Sequence, residues 1–103
     1  DNLNGDIIDI KDNGNTKTYN VSSKGWGVIK ASIEVSDDKI ISILITDSSS
    51  ETQWNEIEKV NYLDDLIKNQ DDIDSLDAVS GSTRTSNGLK NMIKKVKGDI
   101  NEK

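Results

Sequence analysis

Hydrophobic and polar residues alternate most cleanly across residues 28–36, where Ile29, Ala31, Ile33 and Val35 are separated by Lys30, Ser32 and Glu34. A period of two sends the two sets to opposite faces of a strand, so this segment reads as a strand with one buried and one wet face. Upstream, Asp6 to Lys11 reads as a short strand and Thr16 to Ser22 as its partner. Asp12-Asn13-Gly14-Asn15 joins them, because Asn-Gly supplies the positive φ that a hairpin needs. Residues 1 to 5 are polar and expected to fray. Downstream, Asp37-Asp38 turns the chain into Lys39 to Thr46, with Ile41, Ile43 and Ile45 on one face and Ile40 and Leu44 on the other. Apolar residues on both faces predict a strand covered on both sides.

From Glu51 to about Gln70 the spacing changes to three and four, with Trp54, Ile57, Val60, Leu63, Leu66 and Ile67 forming a helical stripe that breaks near Asn61. Asp71 to Asp74 reads as an acidic loop and Leu76 to Val79 as a short extended piece. The hydroxyl-rich run from Ser80 to Gly88 then enters a helix, drawn over residues 86 to 97, whose Leu89, Met92, Ile93, Val96 and Ile100 share one face. Strands come first and helices after, which predicts an α+β fold: an antiparallel sheet of about four strands followed by two or three helices packed on it. At 103 residues the chain is read as a single domain over 1–103 with its core at about 6–97.

Composition narrows the chemistry. The net charge of −6 disfavours nucleic acid and anionic membrane surfaces, whose phosphates need clustered Lys and Arg. Without Cys or His, thiol chemistry, thiolate metal sites and imidazole general bases are excluded. No apolar run reaches the roughly 18 residues of a membrane span. An EF-hand loop begun at Asp9 fails, because Lys11 and Asn20 fall where acidic ligands are needed. Asp71, Asp72 and Asp74 read as a solvated loop. Gly25-Trp26-Gly27 lacks the third glycine of a dinucleotide fingerprint, and Asn20-Val21-Ser22 is a formal sequon only.

The remaining candidate is the loop Ser80-Gly81-Ser82-Thr83-Arg84-Thr85-Ser86-Asn87-Gly88 ahead of the last helix. Amides at a helix N-terminus are unpaired and the helix dipole favours negative charge, so phosphate is a natural ligand there. Gly81 lets the backbone approach a ligand, Ser82, Thr85 and Ser86 offer hydroxyl donors, and Arg84 adds charge. Taken bare, the same residues also read as an N-cap at Thr85 or Ser86 with glycine turns.

Asp77-Ala78-Val79-Ser80-Gly81-Ser82-Thr83 resembles the flavinylation motif of the FMN-binding domain family, whose pattern is Asp, two variable residues, Ser or Thr, Gly, Ala, Thr. That family includes flavin-carrying components of the sodium-pumping NADH:quinone reductase and of the Rnf complex, together with flavinylated surface proteins of Gram-positive bacteria. Asp77, Ser80, Gly81 and Thr83 fall on the fixed positions, Thr85-Ser86 on the usual continuation, and Ser82 stands where Ala is usual. Tyr19, Gly25-Trp26-Gly27, Asp38-Lys39-Ile40 and Glu51-Thr52 extend the resemblance over about residues 16 to 97.

The resemblance implies FMN attached through a phosphoester to Thr83 by a separate Mg²⁺- and FAD-dependent flavin transferase. It further implies an electron carrier rather than an enzyme, with electron donor and acceptor unspecified. It implies an extracytoplasmic location, secreted or at a bacterial cell surface, held by an upstream or lipid anchor. A host lacking the transferase would yield the domain without flavin. Asp77 reads either as a recognition element for the transferase or as a turn carboxylate. Glu51 and Thr52 read either as pocket lining or as a first helical turn, and Trp26 and Trp54 either as flanks of the flavin ring or as core. A non-redox surface module that keeps the fold without flavin is the alternative function.

Overall fold

The computed structural model describes residues 5–102. Residues 1–4 of the segment expected to fray lie outside them, and Gly5 is buried, its Cα packed where a Cβ would come 3.0 Å from the Ser22 carbonyl oxygen. Strands β1 (Asp6–Asp12), β2 (Lys17–Lys24), β3 (Val28–Ser36) and β4 (Lys39–Asp47) form one antiparallel sheet in the order β1-β2-β3-β4. Helices α1 (Trp54–Lys59), α2 (Tyr62–Lys68) and α3 (Thr83–Asn101) follow, with a 3-10 turn at Gln70–Ser75. The α+β order expected from the sequence is the order found.

Each hairpin has a local cause. At the first, Gly14 takes φ +96° and donates its amide to Asp12 Oδ1 at 2.9 Å. At the third, Asp37 and Asp38 both adopt left-handed φ, 52° and 64°, the pairing whose twist suits a two-residue hairpin. Register then sorts the faces. Tyr19 pairs with Ile33 and Val21 with Ala31, and all four are buried beneath the helices.

On β4 the expected face is corrected by a bulge. Val35 pairs with Ile40 and Ile33 with Ile43, so one extra residue is accommodated between them. Because the side-chain period is two, that insertion moves Ile40 onto the core face with Ile43 and Ile45 and turns Ile41 outward, 49% exposed. Cover on both sides of β4 is also not found, since Leu44 on the outer face is 65% exposed. The buried core lies on the other face, between the sheet and the helices.

The stripe from Glu51 to Gln70 divides at Asn61, which takes a left-handed φ of 55°. Beyond it the acidic segment is helical rather than a loop. Ile73 is buried there, Lys39 and Lys97 reach Asp71 at 2.7 and 2.9 Å, and Lys94 reaches Asp74 at 3.0 Å. Gln70 fixes this turn to β4, donating to the Ile40 carbonyl at 2.9 Å while accepting from the Ile40 amide at 2.8 Å. α3 then lays Leu89, Met92, Ile93, Val96 and Ile100 on the core face. At its far end the Tyr19 hydroxyl donates to Asp99 at 2.7 Å, and burial, together with that carboxylate, pushes the phenol well above its ordinary pKa. Each fully buried aliphatic side chain contributes about 1.5–3 kcal/mol, so the packing of α3 on the sheet is a large part of what holds that helix in place.

Candidate functional site

α3 begins at Thr83, three residues earlier than the periodicity predicted, and Ser82 occupies its N-cap with no capping hydrogen bond from its side chain. Neither Thr85 nor Ser86 is the cap. The amides of Thr83, Arg84 and Thr85 belong to the first helical turn, where no intrahelical acceptor exists. Gly81 precedes them at φ +83°, a conformation that glycine adopts without strain, and the space around it is open.

The hydroxyls of this segment divide sharply by environment. Ser82 is 1% exposed and donates to the Gln53 carbonyl at 3.0 Å. Ser86 is buried, accepts from the Val79 amide at 2.9 Å and donates to the Ser82 carbonyl at 2.8 Å. Thr85 is buried and donates to Glu51 Oε1 at 2.5 Å. All three, expected as donors to a ligand, are committed inside the protein. Thr83 and Ser80 are exposed.

Glu51 is the centre of the inner layer. It lies in neither a helical first turn, since α1 starts at Trp54, nor an open pocket, being 7% exposed. Its Oε1 accepts from the Trp26 amide and its Oε2 from the Gly27 amide, each at 3.0 Å, beside the Thr85 hydroxyl bond. The Gly25-Trp26-Gly27 turn is closed by Gly25 N–H on the Gly27 carbonyl at 2.9 Å. A Cβ at Gly25 would overlap the Glu51 carboxylate, and one at Gly88 would come 2.9 Å from the Lys24 carbonyl oxygen. Ser23 adds a buried bond to the Gly88 carbonyl at 2.6 Å. Turn, carboxylate and helix start are thus packed backbone to backbone.

The turn presents Trp26 outward, 53% exposed, with the Arg84 guanidinium 4.3 Å from the ring centroid. Lys24, Gly25, Arg84 and Asn87 line an open cleft of about 330 Å³ beside it. Trp54 is placed elsewhere, half-buried against the core and lining a cleft of about 580 Å³ between β4, α1 and α2 with Ile43, Ile45 and Leu63. Trp26 has no part in the cleft that Trp54 lines, so the structure does not bring the two indoles together around one space. Asp77 and Thr52 are exposed at the surface. The Asp77 carbonyl, not its carboxylate, makes the structural contact, accepting from Tyr62 at 2.9 Å; burial pushes that phenol up to about 12.

Sequence reading missed Lys24 and Gln53, and it placed Asn87 and Gly88 in the candidate loop without giving either a role. Gly88 carried a further signal, because a glycine inside a strong helix costs about 1 kcal/mol against alanine and so points to a close approach. Lys24 and Gln53 have none, since only the tertiary fold gathers them.

Among the described residues no buried side-chain polar atom lacks a partner, no group of acidic side chains is arranged to hold a metal ion, and no helix is long and apolar enough to cross a membrane. Comparison with the curated proteins and with the solved structures gave no match. A family model for the FMN-binding domain matches residues 25–97, a span that contains the Gly-Trp-Gly turn, Glu51, Thr83 and most of α3. With well over half its length matched, the chain belongs to the FMN-binding domain family.

Proposed function

We propose that this domain is an electron carrier whose FMN is attached through a phosphoester to Thr83 by a separate flavin transferase outside the cytoplasm. The observation that carries the reading is the sorting of hydroxyls around α3. Ser82, Thr85 and Ser86 are buried with internal partners, which leaves Thr83 as the exposed hydroxyl of the helix start and Ser80 as the other exposed hydroxyl, in the loop before it. Ser82, the residue that departs from the family pattern, is thereby removed as a competing acceptor.

The surroundings fit the group. Attachment joins the Thr83 oxygen to the FMN phosphorus of FAD and breaks that phosphorus–oxygen bond to the AMP phosphate, so AMP leaves with the bonding pair and the hydroxyl proton passes to a base on the transferase. The product is a phosphodiester with one negative charge. First-turn amides and the dipole of α3 favour an anion at this end, no acidic side chain stands in the first turn of α3, and Arg84 adds positive charge. Gly81 and the open space about it leave the hydroxyl approachable from outside. The half-exposed Trp26 indole offers an apolar face next to the acceptor turn. When bound, FMN would supply one- and two-electron transfer; the chain itself would hold it and set its surroundings. A covalent tether keeps the carrier loaded where free FMN would be lost to the medium, which is the argument for an exported domain at the cell surface or secreted.

The test is intact mass after co-production with a flavin transferase and FAD, with Thr83→Ala and Ser80→Ala beside the wild type. The expected result is a gain of one FMN less one water in the wild type and in Ser80→Ala, and none in Thr83→Ala. No gain in the wild type, with a transferase that labels another acceptor in the same experiment, refutes the covalent reading.

A further inference from the structure

We infer that Glu51 is a positioning residue for flavin attachment, acting from beneath the site through the Trp26 turn and Thr85 rather than by touching the flavin; the inference rests on Thr83 being the acceptor. The carboxylate has two oxygens and three donors on them: Trp26 N–H at 3.0 Å, Gly27 N–H at 3.0 Å and Thr85 Oγ–H at 2.5 Å. At 7% exposure little of it faces solvent, so it is engaged inward. Oε1 is shared between the Trp26 amide and the Thr85 hydroxyl while Oε2 accepts from the Gly27 amide, so one carboxylate ties the turn that carries Trp26 to a side chain two residues past Thr83 in the same helical turn. Charge-assisted bonds to an ionised acceptor are shorter and roughly twice as strong as neutral ones, so the latch is stiff.

Its fit is enforced sterically. Gly25 leaves its Cβ space to the carboxylate, Gly27 leaves its own to Ser50, and Gly88 lets α3 close onto Lys24 and Gly25. A second bond from the same stretch, Ser82 Oγ–H to the Gln53 carbonyl at 3.0 Å, pins the other side of Thr83. Residues 51–53 therefore cross beneath the acceptor and hold it on both flanks. The consequence is kinetic. Group transfer depends on holding the attacking oxygen to within a fraction of an ångström, and displacement of about 1 Å costs on the order of 100-fold.

The experiment compares Glu51→Gln, Thr85→Val and Thr85→Ser with the wild type in single-turnover transfer from FAD by a flavin transferase, read as mass gain on Thr83, after circular dichroism and a melting curve have shown each variant folded at the assay temperature. Glutamine keeps the shape but replaces one acceptor oxygen with a donor. Valine keeps the volume of Thr85 without its hydroxyl, and serine restores the hydroxyl. Positioning predicts that folded Glu51→Gln and Thr85→Val lose at least about fivefold in the transfer rate with KM for FAD unchanged, and that Thr85→Ser recovers most of it. A latch that served stability alone would lower the melting point and leave the rate of folded protein at the wild-type value, which overturns the inference. Failure of Thr85→Ser to recover the rate overturns it as well. If Glu51→Gln does not fold, the Thr85 pair decides by the same criterion. Transfer to the wild type with indifferent variants sinks only the role of Glu51, whereas a wild type that accepts no FMN sinks the acceptor assignment beneath it.

Discussion

Two glycines on one helix give opposite expectations for the same substitution. Gly88 and Gly98 both lie inside α3, and alanine in place of glycine in a helix interior gains about 0.5–1 kcal/mol from backbone entropy. At Gly98 nothing stands within 4 Å of a new Cβ, so Gly98→Ala should realise that gain. At Gly88 the Cβ would lie 2.9 Å from the Lys24 carbonyl oxygen, 3.1 Å from its carbon and 3.2 Å from the Gly25 nitrogen. All three are backbone atoms of the turn that Glu51 and Ser23 hold in place, so the helix must move as a body. Overpacking of this kind costs about 1–3 kcal/mol, which exceeds the helical gain and leaves Gly88→Ala about 1–2 kcal/mol less stable than wild type. For a domain of this size 1 kcal/mol moves the melting midpoint by about 4–8 °C, so the two variants should melt about 10 °C apart on opposite sides of wild type. Calorimetry or far-ultraviolet circular dichroism reads this directly. Equal stabilisation by both alanines would mean that α3 does not close onto the 24–27 turn, and the packing of the site as described would be wrong.

Three further outcomes are expected. Ser82→Ala should lower stability by about 0.5–1.5 kcal/mol by removing the bond to the Gln53 carbonyl, while peptide mapping of flavinylated wild type and Ser82→Ala finds the same modified residue, Thr83. The Lys39 and Lys97 ammonium groups bonded to Asp71 hold its carboxyl down at about 2, so its contribution is present above the ordinary pKa near 4 and is lost as pH falls from there through about 2; Asp71→Asn should melt below wild type at pH 7 and close most of the gap by pH 2, and since Asp71 is exposed the gap should narrow in 1 M salt. Tyr19 and Tyr62 are both held neutral by burial, Tyr62 up to about 12, so the stability they lend is full below pH 10 and is lost as pH rises past it. Tyr19→Phe should flatten that alkaline decline in melts taken from pH 9 to 12.

How much of this was legible in the sequence depended on whether a local rule or a tertiary one decided. The alternation of Ile29, Ala31, Ile33 and Val35 settled β3, and Asn-Gly and Asp-Asp marked the first and third hairpins, because strand period and turn chemistry are properties of a few neighbouring residues. The face of β4 was misread, since a bulge is an agreement between two strands: Ile41 and Ile40 look equivalent until Val35 chooses Ile40 as its partner. The acidic stretch at 71–74 looked like solvent-filled loop because its partners Lys39, Lys94 and Lys97 come from β4 and α3. The candidate segment, a hydroxyl-rich run with a glycine ahead of the last helix, was legible as such in the sequence. The division of its hydroxyls into structural and available groups was not, because it depends on Gln53, Glu51 and Val79 arriving from other elements.

On the proposed attachment at Thr83, that division explains why a segment so rich in serine and threonine need not be an indiscriminate acceptor. A hydroxyl in water is approachable from any side, and five of them in seven residues, Ser80, Ser82, Thr83, Thr85 and Ser86, offer little chemical basis for choice. Folding creates the basis. A helix start alternates inward and outward positions every one to two residues, so Ser82, Thr85 and Ser86 face the protein while Thr83 and Arg84 face out, and each inward hydroxyl finds an acceptor because leaving it unpaired would cost about 1–3 kcal/mol. The same bonds that satisfy burial bind the start of α3 to residues 51–53 and 79. Folding thus narrows five hydroxyls to two, Ser80 and Thr83, of which Thr83 stands on the helix start, and on the proposed attachment a substitution that frees an inward hydroxyl should loosen Thr83 at the moment it supplies a competitor.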